Sequence, residues 1–111
     1  MMTPYTLIEN LPSLIDAITP DGIVSRTFYK GKHVKAILFG FDAGQELSEH
    51  TSSQTAIIQI VRGDAIITLG NERFEVTAGS WMHLTPCLKH SVYAKTPLIL
   101  LLTMFDTEGK V

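Results

Sequence analysis

One cysteine, one tryptophan and no run of basic residues are what this chain is poorest in. A lone Cys87 cannot close an internal disulfide, so a disulfide-stapled scaffold is excluded and a reducing compartment fits. Nine Lys+Arg against eleven Asp+Glu leave a net charge of -2, and no basic stretch can follow a phosphate backbone. Nucleic acid is therefore not an expected partner. The longest apolar run, 97–104, is far short of the roughly 20 residues that span a bilayer, and no basic region leads an apolar one at the N-terminus. The expectation is a soluble cytoplasmic protein with no membrane partner. Also absent are a Gly-x-Ser-x-Gly elbow, a glycine-rich phosphate loop and paired carboxylates in a catalytic context. Ser52 and Ser53 lie close to His50, but no acid stands behind the histidine to build a triad.

What is present is ordinary globular material. With 111 residues, 45% of them hydrophobic and 18% charged, the chain can build one domain around one core. Asn10, as a possible N-cap, followed by Leu11, Leu14, Ile15 and Ile18 at helical spacing, predicts about two turns of helix, ended by Pro20-Asp21-Gly22. So short a helix is marginal alone, so residues 1–22 are expected to pack on the main body or on a partner subunit. From residue 23 to 111 the pattern is β. Stretches 22–30 and 33–41 are rich in β-branched and aromatic residues around a Gly31-Lys32 turn. Residues 64–69 and 72–77 flank Gly70-Asn71, a two-residue hairpin signal, and the second of them alternates cleanly between apolar and polar. Further strands are predicted at 81–85, 90–94 and 98–105, the last apolar on both faces and so covered on both. About nine short strands with no second helical region define an all-β barrel or sandwich. Phe39, Phe41, Phe74 and Trp81 are expected in its core, and Cys87 as a small buried hydrophobe.

The stretch 44–63 organises the rest. Gly44, His50 six residues on, and Gly63 thirteen residues after the histidine resemble the first motif of the cupin superfamily. That motif reads Gly, five residues, His-x-His, three or four residues, Glu, six residues, Gly. Ser52 stands where the second histidine belongs and Ala56 where the glutamate belongs. The second motif is resembled at Gly79 and His90, with Thr85, Cys87 and Ala94 at its proline, glycine and asparagine positions. The resemblance covers about half the chain and implies a double-sheet jelly-roll β-barrel with a short N-terminal helix. In that family the motif histidines and glutamate hold a metal, so the metal positions retained here are His50 and His90.

On a strand without a bulge, His50, Ser52, Gln54 and Ala56 would share one inward face. Two neutral imidazoles without a carboxylate make a poor transition-metal site. Glu49 points away by parity, and neither His33 nor His83 is nominated. The cofactor expectation is none, or a weakly held divalent transition metal. The leading functional reading is a cupin that binds a small polar molecule between His50, Ser52, Gln54 and His90. The alternative is a metal-dependent cupin enzyme of dioxygenase or isomerase type with a reduced two-histidine site. The uncovered apolar surface predicts a homodimer.

Overall fold

The structure is a computed structural model and describes residues 4–106. Among the described residues nine strands follow one another: β1 (Ile23–Lys30), β2 (Val34–Phe41), β3 (Glu46–His50), β4 (Thr55–Arg62), β5 (Asp64–Leu69), β6 (Glu72–Thr77), β7 (Trp81–Leu84), β8 (His90–Ala94) and β9 (Leu98–Phe105). They form a five-stranded sheet, ordered β1-β2-β9-β4-β7, and a four-stranded sheet, ordered β3-β8-β5-β6. Every pairing is antiparallel. Among the described residues no helix is long and apolar enough to cross a membrane.

Residues paired across strands share a face, so the registers give the inner wall as rows. On the large sheet one row is Leu84, Ala56, Met104, Lys35 and Lys30, the next runs through Met82, Ile58, Leu102 and Ile37, and the next through Ile60, Leu100 and Phe39. On the small sheet Phe74, Ile67, Val92 and Leu47 form one row, and Leu69, His90 and His50 the row beyond it. Phe41, Ile58, Ile60, Ile67, Val92, Leu98 and Leu100 meet between the sheets in one buried cluster. The centre of each wall is thus apolar: Ser25 and Thr27 reach it only from the edge strand β1, and the other polar side chains enter in the rows nearest one end.

The N-terminal helix is a correction. Among the described residues only Leu11–Leu14 is helical, as one 3-10 turn, and Asn10 makes no side-chain cap. Pro12 sits in its first turn, and Ile15 has already returned to extended backbone with φ -108°. Its apolar spacing serves packing instead. Ile15 and Ile18 lie against Gly40 on the outer face of the large sheet, where a Cβ would come within 3.0 Å of Ile18 Cγ1. Arg26 donates to the Leu14 carbonyl, and Leu38, on the same outer face, is fully buried.

Two of the four aromatics assigned to the core are exposed. Phe41 is buried and stacks at a tilt with Phe39, but Trp81 is 59% and Phe74 44% exposed. Trp81 is on β7, an edge strand, and shares the outward row with Gln59. Phe74 faces inward, but from β6, the edge of the small sheet, where the second wall no longer covers it. Cys87 is exposed too, and adopts φ +70°.

Candidate functional site: a histidine pair at the barrel mouth

His50 closes β3 and His90 opens β8, and the two are directly paired. Their pairing depends on a bulge. Leu47 pairs with Val92, yet two residues separate Leu47 from His50 where one separates Val92 from His90. The extra residue reverses the alternation, turning His50 to the inner face that its parity with Ser48 would deny it. The ring centroids lie 4.2 Å apart at an interplanar angle of 59°. His50 is exposed at the rim, while His90 is only 7% exposed.

Each ring is held the same way. His50 Nδ1 lies 2.7 Å from the Ser48 carbonyl oxygen and His90 Nδ1 2.9 Å from that of Leu88. A carbonyl can only accept, so each Nδ1 carries the proton, and each neutral ring leaves its Nε2 as a free lone pair. Burial pushes the His90 imidazole below its ordinary value of 6.5, the Leu88 carbonyl partly offsets this, and the charge of His50 adds to the lowering. Burial, the largest of these, favours the neutral, accepting form of His90. Below the pair, Phe39, Phe41, Ile58, Leu100 and Leu102 close a cavity of about 20 Å³, room for roughly one water molecule.

The other nominated residues do not join the pair. β3 ends at His50 and β4 starts only at Thr55, so 51–54 is a loop and the assumed unbroken strand is a correction. Ser52 works within that loop: its Oγ accepts from the Gln54 amide at 3.1 Å and its carbonyl from the Cys87 amide at 2.7 Å. The second bond ties this loop to the one that carries His90. Gln54 lines a separate cleft at the β1–β2 turn. Ala56 is buried in the inner wall. His83 pairs with Ile57 on the outward face, and His33 lines the same cleft as Gln54. The carbonyls of Ser48 and Leu88, which set both tautomers, were not nominated, and backbone groups leave no mark on residue identity.

The pair does not complete a metal centre. Among the described residues no group of three or more His, Cys, Asp or Glu converges as a metal site. Two imidazole nitrogens bring no negative charge and leave most of a divalent ion's coordination to water. The donor set therefore does not fit a tightly held resident ion.

Two facing antiparallel sheets with a polar mouth define a jelly-roll β-barrel. No family model and no curated protein matches the sequence. Solved structures do match. A conserved protein of unknown function from Streptococcus pyogenes is 26% identical, with a TM-score of 0.80 over 93% of this chain and 90% of that one. A cupin superfamily protein from Desulfitobacterium hafniense is 22% identical, with a TM-score of 0.81 over 92% and 93%. A salicylate 1,2-dioxygenase mutant from Pseudoaminobacter salicylatoxidans is 14% identical, with a TM-score of 0.73 over 80% of this chain but 28% of that one. The chain thus has the fold of the small cupin and RmlC-like cupin structures that it resembles.

Proposed function

We propose that the protein is a ligand-binding cupin in which His50 and His90 accept hydrogen bonds from a small polar molecule at the barrel mouth. The observation behind this reading is the matched pair of Nδ1–H···O=C bonds, which commits both rings to the same tautomer and leaves two acceptors side by side. The ligand must therefore present N–H or O–H donors. Because the cavity beneath holds about 20 Å³, only a small head group enters, and the body of the ligand stays at the mouth. The metal-enzyme reading ranks second, since the two nitrogens have no carboxylate beside them.

The test is long-range ¹H–¹⁵N NMR of the imidazoles at neutral pH. Both rings should show a protonated Nδ1 and a bare Nε2, and ligands found by thermal-shift screening should perturb Nε2 and lose their effect in His50→Gln and His90→Gln. An Nε2–H tautomer on either ring would sink the reading.

We infer in addition a two-fold homodimer formed by the outer face of the large sheet. Ile57 and Leu101 are only half-buried there, beside the exposed Trp81, while the N-terminal segment covers the part around Gly40.

A further inference from the structure

The β1–β2 turn carries Lys30, Lys32 and Lys35 within six residues of a chain whose net charge is -2. The fold concentrates them further. Lys30 and Lys35 are direct cross-strand partners, and Lys35 is paired in turn with Met104, so both lysines belong to the inner-wall row beside Ala56. A bulge between Thr27 and Tyr29 produces this, because it shifts the register of β1 before Lys30. Like charges directly opposite on a sheet destabilise it. Among the described residues none of the three lysines makes an ion pair; the single salt bridge there joins Lys95 to Glu75.

These lysines, with His33, Gln54 and Asp106, surround a cleft of about 170 Å³. Its position is set by the same registers. Met104 lines the cleft and Leu102 lines the cavity beneath the histidine pair, two residues and roughly 7 Å apart along β9. The cleft is thus a second, cationic compartment at the end of the barrel that carries His50 and His90.

We infer that this cleft binds an oxyanion, the phosphate or carboxylate group of a small molecule, through Lys30, Lys32 and Lys35. The anion offsets the repulsion that the Lys30–Lys35 pairing builds into the hairpin, and the Gln54 carboxamide adds a neutral donor. Asp106, the one carboxylate among the described residues that line the cleft, opposes an anion, so the three lysines must outweigh it. The site stands on its own geometry and does not require the histidines to bind anything.

The experiment is a ¹H–¹⁵N NMR titration of the full chain with inorganic phosphate, and separately with succinate, at constant ionic strength. The amides of residues 31–35 and of Gln54 should shift saturably with at least one of the two, and the stronger responder identifies the source of the oxyanion. Lys30→Gln/Lys35→Gln should lose at least ten-fold in affinity while melting no lower than the wild type, since it removes a repulsion. Four results would overturn the assignment: shifts spread over the whole surface, no saturation with either anion, full affinity in the folded lysine variant, or loss of binding in His50→Gln/His90→Gln with the lysines intact.

Discussion

His50 and His90 face each other directly across the β3–β8 ladder, rings 4.2 Å apart, each anchored through Nδ1 to the carbonyl two residues before it. The shared anchoring makes the pair a double acceptor when neutral and a repulsive pair when protonated.

Acid should weaken the fold through His90. Its folded value lies below the ordinary 6.5, so above that pH both folded and unfolded chains are neutral at this residue and it contributes no pH dependence. As the pH falls below 6.5 the unfolded chain takes up the proton first and stability is lost, levelling off once the folded value is passed. Urea midpoints measured between pH 7.5 and 5 should fall across this window, and His90→Gln should flatten the fall. An unchanged slope in that variant would place the acid sensitivity elsewhere.

Cys87 occupies the glycine position of the second motif with φ +70°, so the turn demands the left-handed region and a non-glycine residue is forced into it. That conformation costs roughly 1–2 kcal/mol for a side chain, against about 0.5–1 kcal/mol of extra unfolded-chain entropy for glycine. Cys87→Gly should stabilise by about 0.5–1 kcal/mol, and Cys87→Val should destabilise. Chemical denaturation reads both. A destabilised glycine variant would mean that the thiol makes a contact worth more than the strain.

Gly63 and Gly79 both have positive φ, but only one is enclosed. A Cβ on Gly63 would run into the Pro97 carbonyl oxygen, whereas around Gly79 there is open space. Gly79→Ala should cost about 1 kcal/mol of backbone strain. Gly63→Ala should cost at least about 3 kcal/mol, because it must move the start of β9, the central strand of the large sheet. Equal melting shifts for the two would contradict this packing.

The barrel was legible in the sequence because its signals are local. Gly70-Asn71 marks the β5–β6 hairpin, and the two-sided apolar run Leu98–Phe105 is β9, in the middle of its sheet. The histidine pair was legible from the joint spacing of two motifs. Its surroundings were not. Reading 50–56 as one strand made Ser52 and Gln54 neighbours of His50, but a bulge before His50 and a loop after it sent them elsewhere. Neither feature carries a glycine or proline that would announce it. Leu11, Leu14, Ile15 and Ile18 do form an apolar stripe, but in a chain laid over Gly40 rather than a helix, because side-chain spacing reports what must be covered and not the backbone that covers it. Trp81 and Phe74 were misplaced because edge position depends on strand order, which alternation along one strand does not contain.

If the outer face of the large sheet pairs two copies, Trp81 is its most exposed large apolar residue among β4, β7 and β9. Light scattering at micromolar concentration should give a dimer mass, and Trp81→Asp a monomer with an unchanged circular dichroism spectrum. A monomeric wild type would sink the dimer.

Metal content separates the two readings of the site. The two imidazoles, with ring centroids 4.2 Å apart, have no carboxylate beside them to offset the charge of an ion, and the wall beneath is apolar. Protein purified without a tag or chelator should therefore carry substoichiometric transition metal by elemental analysis. Added Zn²⁺ should bind only weakly, at micromolar concentration or above, with one ion per chain at most. Its affinity should decline as the pH falls below 6.5, because a protonated imidazole has no lone pair to donate. His90→Ala should abolish that weak binding, while a chelator should leave the melting temperature of the wild type unchanged, since the apolar rows between the sheets and not an ion hold the barrel. Full occupancy in untagged protein, lost in His90→Ala, would reverse the order of the readings and make the dioxygenase or isomerase alternative the one to pursue.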